Sequence, residues 1–393
     1  MSPFFLPAKA ERHVVVVGRM RGEELDLLRV AHRGDQHRLL AAATISWSLG
    51  TALGEPLERL LDWRAHEPVI LAVATPALAG GSVTIRRVLP GKGEELLDPR
   101  ELKLQAHWHA RERLREEVAD FFGAPLEDLV VFREDVRPWQ EGPDGESLEA
   151  TVTTLFQGPA VLSGTPLGAS PKTLVPSTPP PDVPTCDMVL LPLFFSELFR
   201  ATPEPVGLLV SEESRLSLVV RHGDILRILR TASLGSDVLI GMLVRALSCS
   251  PRDAATLLQR ADASALSPEG VRIVSKVFRP LFPLFRTIIR LFFEHLPDAE
   301  RPTRLLVAGF WPTFLHRLFF HRNLTAYLAG PQRAVQLLPR PVIAPVDASR
   351  LTAARIPGPV FSLLEQLADT ALRKSHVATA AVPEPLHAHA HSP

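Results

Sequence analysis

The chain predicts an α/β fold of two or more domains or subdomains. Three observations predict it. Apolar runs short enough for buried strands recur, such as Val69–Ala74 (VILAVA) and Val206–Val210 (VGLLV). Segments with apolar residues at helical spacing lie between such runs. Val206–Arg230 reads as a strand–turn–strand–strand meander. A chain of 393 residues with 46% hydrophobic side chains is long enough to bury the core of two or more domains or subdomains.

Taken in order, His13–Val17 predicts a buried strand, and Glu24–Ala31 a second strand or short helix after a tight turn at Arg21-Gly22. His37–Ile45 predicts a third strand and Ser46–Leu61 a helix. Val69–Ala74 predicts a strand of a parallel sheet, and Ser82–Leu89 alternates as a strand ending at Pro90. Asp98–Phe122 predicts a long charged helix with Leu102, His109, Leu114 and Val118 on or near one face. Leu129–Arg133 and Glu149–Phe156 follow as strands. Gly158–Cys186, rich in Pro, Ser, Thr and Gly, predicts a loop or linker in its later part. Met188–Phe199 is an apolar strand or helix.

After the meander come helices at Ser236–Leu247 and Ser250–Gln259, the latter opened by an N-cap Ser250 with Pro251 in its first turn. Gly270–His295 predicts one long apolar helix, kinked at Pro280 and Pro283. Leu305–Ala308 predicts a strand, Pro312–Phe320 a helix and Pro359–Arg373 a last helix, with Ser375–Pro393 disordered. These elements divide the chain into 12–90, 91–157 and, for the linker, 158–187. They continue with 188–340, then 341–374 for a return segment and helix, and 375–393 for the tail.

Composition excludes several classes. Lys plus Arg and Asp plus Glu are balanced at 43 each, which leaves no global electrostatic footprint for nucleic acid or an anionic surface. Cys186 and Cys249 make neither a metal spacing nor a disulfide framework. With no secretory signal and no uncharged run of ~18 residues, a cytoplasmic protein is expected. No nucleophile constellation stands out, and Gly91-x-Gly93 lacks the strand–helix context of a dinucleotide loop. His107 and His109 face different sides of their helix, and His387, His389 and His391 lie in the low-complexity tail, so neither group is expected to hold a metal. Arg279, Arg286 and Arg290, among the phenylalanines of 278–293, suit either a core helix or one lying on a membrane; the core is expected.

Three segments together resemble the PilM family, actin-like cytoplasmic proteins of type IV pilus machines. They are Thr231–Gln259, with Ser250, Asp253 and Ala254 matching a Ser-x-x-(Glu/Asp)-Ala element; Arg304–Leu318 (RLLVAGFWPTFLHRL), similar to the strand of an adenosine loop; and the helix Ser362–Lys374. Val69–Pro90, and Trp108 with Pro125-Leu126-Glu127-Asp128, add weaker matches. The resemblance implies an actin-like (ribonuclease H-like) two-domain fold with a small inserted α+β subdomain at 91–157, and a nucleotide cleft whose counterparts here are Gly18, Ser211, Ser214, Gly235 and Gly309.

The loops depart from that pattern. Where the family has a strand followed by Asp-x-Gly-Ser-Ser, this chain has Val17-Gly18-Arg19-Met20-Arg21-Gly22. The second loop is Ser211-Glu212-Glu213-Ser214-Arg215, with two carboxylates that repel a polyphosphate and no glycine to let backbone amides approach it. Phe310 and Trp311 follow Gly309, either stacking on a base or filling the cleft; filling is expected. Arg19 and Arg21 are expected on a solvated hairpin rather than as an anion site. The expectation is a degenerate nucleotide cleft, with no cofactor or only ATP, and no metal. By the resemblance, the protein is a scaffold peripheral to the inner membrane that binds the short cytoplasmic peptide of a membrane-anchored PilN-type partner. The alternatives are an active actin-like ATPase, or an FtsA-like or GspL-like scaffold.

Overall fold

The computed structural model describes residues 13–21, 23–33, 36–47, 53–88, 99–137, 139–141, 147–159, 186–294, 296–297, 300–302, 304–319, 334–337, 343–345 and 356–380. The linker from 160 to 185, the tail beyond 380 with its three histidines, and Gly91 and Gly93 lie outside them.

Two mixed sheets share one strand plan. In the first, β1 (His13–Arg21), β2 (Glu24–Arg33) and β3 (Gln36–Ser46) form an antiparallel meander. Parallel strands β4 (Val69–Val73) and then β9 (Cys186–Leu190) add on the β1 side. In the second, β10 (Val206–Ser211), β11 (Leu216–His222) and β12 (Ile225–Ala232) form the meander. Parallel β13 (Arg304–Gly309) and β14 (Ala334–Leu337) add on the β10 side. An order of third, second, first, fourth, fifth strand, repeated twice, is the actin-like arrangement. A short β15 (Ile343–Pro345) runs parallel to β3 at the far edge of the first sheet.

The continuous apolar runs reflect burial on both faces. Val15 and Val17 of β1 point into a large core shared with the second sheet, while Val16 points the other way onto Leu25, Leu27 and Leu71. Helix α1 (Gly54–Leu61) covers that second face through Leu57 and Leu61. The shared core takes in helix α3 (Leu191–Ser196) and helix α9 (Gly358–Ala380), whose Leu363, Leu364 and Leu367 are fully buried. Around the second sheet lie α4 (Ser236–Leu247), α5 (Pro251–Asp262), α6 (Pro268–Phe278), α7 (Leu281–Phe293) and α8 (Pro312–Phe319). The Ser250 hydroxyl accepts from the Asp253 N–H, so the expected N-cap forms.

Several expectations change. β5 (Leu78–Val88), placed by sequence in the first domain, pairs with β12 and with β8 (Ser147–Gln157), and so belongs to the second sheet. β6 (Val130–Val136) ends that sheet, and β7 (Gln140–Glu141) also pairs with β8. The inserted piece therefore starts at β5 and is an extension of the second sheet through β12. Helix α2 (Pro99–Phe122) packs on it with Leu102, Ala106, Ala110, Leu114 and Val118; the small alanines set the face, and His109 is exposed. Conversely β9, which follows the linker, joins the first sheet.

Of the helix expected over 46–61, the described residues hold α1, and β3 runs through Ser46 to pair with Glu24; residues 48–52 lie outside the described residues. The long helix over 270–295 is two, α6 and α7, divided at Arg279-Pro280. Pro283 sits in the first turn of α7, where its missing N–H breaks no bond, so it causes no kink.

Candidate functional site

The ends of the two meanders meet. Arg19, near the end of β1, is 1% exposed, and its guanidinium reaches across to the loop that follows β10. It donates to Glu213 through two nitrogens, to Glu212 Oε1 at 3.2 Å and to the Val73 carbonyl at the end of β4 at 2.9 Å. Arg19 therefore has an anion, supplied by the chain itself, and the solvated hairpin expected for it is wrong. Arg21 is half-buried, paired with Glu24 at 2.6 Å and with the buried carboxylate of Asp26 at 3.2 Å. The two glutamates that would repel a polyphosphate have a partner at this position.

One guanidinium serves two carboxylates, and the charge balance is strained. Burial pulls the Arg19 guanidinium down, but Glu213 and Glu212 outweigh it and hold the group above its ordinary value. Burial pushes the Glu212 carboxyl up, and Arg19 offsets this only in part. Thr75 lies beside Glu212, yet its Oγ1 and Glu212 Oε2 are both buried without a hydrogen bond of standard geometry. Asp237, in the first turn of α4, is pushed up by burial and then by Glu213.

The glycines serve close backbone packing. Gly235 is the N-cap of α4, and a Cβ there would lie 2.4 Å from Arg215 N, Glu213 O and Ser214 C. That approach lets Ser236 and Asp237 donate their N–H groups to the Glu212 and Glu213 carbonyls at 2.9 and 2.8 Å. Arg215 completes the loop by donating to the Ser233 hydroxyl at 2.7 Å. Gly309 has φ +91°, and a Cβ there would lie 2.1 Å from the Ser211 carbonyl, which instead accepts the Phe310 N–H at 2.9 Å. The Gln366 amide on α9 holds the Gly309 N–H and C=O at 3.0 and 3.3 Å.

Of the residues assigned to the cleft, Ser211, Gly235 and Gly309 surround the Glu212–Arg215 loop as buried backbone contacts, and Ser214 is its exposed tip. Gly18 does not join them. It packs into the first domain's core, where a Cβ would meet Leu71 and Leu27 side chains at 2.6 and 2.8 Å. Phe310 and Trp311 are both 4% exposed core residues. These residues do not fit Mg-ATP: the amides of the second loop's neighbours are bonded to its own carbonyls, an arginine holds its carboxylates, and aromatic side chains fill the space beside Gly309. Among the described residues no group of three or more His, Cys, Asp or Glu is arranged to hold a metal ion.

A second site was not visible in sequence. A cleft of about 710 Å³ opens between β6 and β9. These strands end their sheets, each paired on one side only among the described residues. Leu155, Leu193, Phe194 and Leu226 contribute its apolar lining. Its polar residues form ion pairs: Arg133 with Asp135 at 2.7 Å, Arg221 with Glu197 at 2.6 Å, and Arg137 and Arg200 with Asp224. The signal that could have found it is the pair of edge strands, but edges follow from sheet order, which strand patterns do not contain.

No known protein-family profile and no curated protein matches the chain. Solved structures do. A PilM-PilN type IV pilus biogenesis complex is 18% identical over 91% of this chain and 98% of that one, with a TM-score of 0.46. The ethanolamine utilization protein EutJ from Carboxydothermus hydrogenoformans is 11% identical over 92% and 90%, with a TM-score of 0.36. Ta0583, an archaeal actin homolog solved with ADP, is 11% identical over 92% and 99%, with a TM-score of 0.37. The duplicated strand order of the two sheets is what makes the fold actin-like.

Proposed function

We propose that this protein is an actin-fold scaffold that works without nucleotide and receives an extended peptide between β6 and β9. The observation that supports it is the convergence of two strands, each paired on one side only among the described residues, on one cleft lined by apolar side chains and ion pairs. An extended segment can add to such an edge through its backbone while alternate side chains enter the cleft. The sequence resemblance to the PilM family suggests the partner class: the cytoplasmic segment of a membrane-anchored PilN-type protein, which would hold the scaffold at the inner membrane. The internal ion cluster of Arg19, Glu212 and Glu213 ties the two halves where a bound nucleotide would otherwise bridge them.

Calorimetry on the purified chain tests both parts. With the cytoplasmic peptide of a PilN-type protein from the same organism, micromolar binding is expected, weakened at least tenfold by Phe132→Glu, a β6 position in the wall of the cleft, in a variant that still melts as the wild type does. With millimolar Mg-ATP, neither heat nor a thermal shift is expected. Micromolar ATP binding would reinstate the ATPase alternative, and absence of peptide binding would remove the scaffold's proposed partner.

A further inference from the structure

Of the two strands that border the cleft, β9 lines it with Met188, Val189 and Leu190, whereas β6 lines it with charge. The register of β6 against β8 shifts between Val131 and Arg133. Val131 lies opposite Phe156, and beyond the shift Glu134 and Val136 lie opposite Thr154 and Val152. This is the face that α2 covers: Val131, Val136, Val152 and Phe156 share its core, and Glu134 pairs with Arg111 of α2 at 2.6 Å. The bulge re-aims Phe132 away from that core and onto the cluster of Leu155 and Leu226. Phe132, Arg133, Asp135 and Arg137, the residue after β6, all line the cleft.

The charges on this face alternate as cation, anion, cation at every second residue. The inner neighbour β8 sets no charge against them. Leu155 lies opposite Arg133, Thr153 lies opposite Asp135, and the Arg137 N–H donates to the Thr151 carbonyl at 2.9 Å. In sheets, opposite charges on adjoining strands stabilise one another. Here the pairs run along the strand or off it instead: Arg133 with Asp135 at 2.7 Å, both 58% exposed, and Arg137 with Asp224 at 3.6 Å. On its outer side β6 has no strand among the described residues.

We infer that the segment received by the cleft adds to β6 rather than to β9, and carries an acidic, a basic and an acidic side chain at alternate positions, set opposite Arg133, Asp135 and Arg137. The inference rests on the reading of the cleft as a peptide site, and adds to it the edge used and the class of sequence read there. A strand laid along β6 places every second side chain on the cleft face. Charge complementarity then selects the order of those side chains and fixes the register. The order acid, base, acid is the same in both directions, so it suits a parallel or an antiparallel segment. A wholly apolar segment would strip water from these charges and offer no partner in return.

Fluorescence anisotropy of labelled peptides with the full chain tests it. Two short peptides on one threonine background carry Glu-Thr-Lys-Thr-Glu and Lys-Thr-Glu-Thr-Lys. A third, Lys-Thr-Glu-Thr-Glu, has the composition and net charge of the first in another order. Wild type should bind the first about tenfold more tightly than the second, with the third between them. Half-molar salt should narrow the difference, since screening then acts over a few ångström. The triple variant Arg133→Glu, Asp135→Lys, Arg137→Glu should reverse the preference. It should melt as wild type does, because these side chains are largely exposed.

Equal binding of the three peptides by wild type, or a preference that the triple variant keeps, would overturn the inference. The cytoplasmic peptide that tests the cleft itself is measured beside them. If that peptide binds, weakened by Phe132→Glu, while the synthetic peptides bind without preference or not at all, the inference fails and the cleft stands as a peptide site. If wild type binds none of the peptides, the peptide reading of the cleft fails and this inference falls with it.

Discussion

Arg19 supplies the cation for two carboxylates that lie on another strand's loop. Truncating it leaves two carboxylates without their cation, one of them buried, and a broken buried pair typically costs about 3–5 kcal/mol. Arg19→Ala should lower stability by that order in urea titrations. Glu212 gives the opposite lesson. Its folded-state pKa lies above the ordinary carboxyl value of 4.5, so its contribution is fully present below that pH and is lost as pH rises through the folded value. Glu212→Gln keeps an acceptor for Arg19 and removes that loss. The variant's melting temperature should therefore fall less between pH 5 and pH 8 than the wild type's; an identical fall in both would show that Glu212 is ionised without penalty. Gly235→Ala should cost about 1–3 kcal/mol, since its methyl group meets the backbone of Glu213–Arg215, and a Tm within error of wild type would mean that the loop can move away.

Elements, more than residues, decide where a partner can bind. β6 and β9 come from opposite sides of the 160–185 linker and from different sheets, yet both end in the same cleft. If a peptide adds to one of these edges, hydrogen exchange of its backbone amides should slow on peptide addition, and central strands such as β1 and β10 should not change. Protection confined to α2, whose Leu104 and Trp108 are exposed on the opposite kind of surface, would place the partner there instead.

At the scale of the molecule, the two sheets share one core. Residues of β1 to β3, α3, α9 and the second sheet belong to a single buried cluster. Such continuity predicts one cooperative calorimetric transition rather than two. Leu367→Ala, at a fully buried position of α9, should lower that one transition, at a cost of about 2–5 kcal/mol. Two resolved transitions, only one of them moved, would show that the halves fold separately.

The sequence by itself determined what local physics determines. Apolar runs flanked by turns marked the core strands, and Ser250-Pro251 marked a helix start. The carboxylates of Glu212 and Glu213 were legible as hostile to a nucleotide. Their partner was not, because Arg19 lies 193 residues away from Glu212 and only the fold brings the two strand ends together. Likewise β5 has the pattern of any half-buried strand, and nothing in its own residues says which sheet it joins. Tertiary structure alone decided the sheet membership of β5 and β9, the contact of Arg19 with Glu212, and which strands end their sheets among the described residues. Each is a long-range pairing, chosen by how much surface the whole chain buries rather than by any one segment's preference.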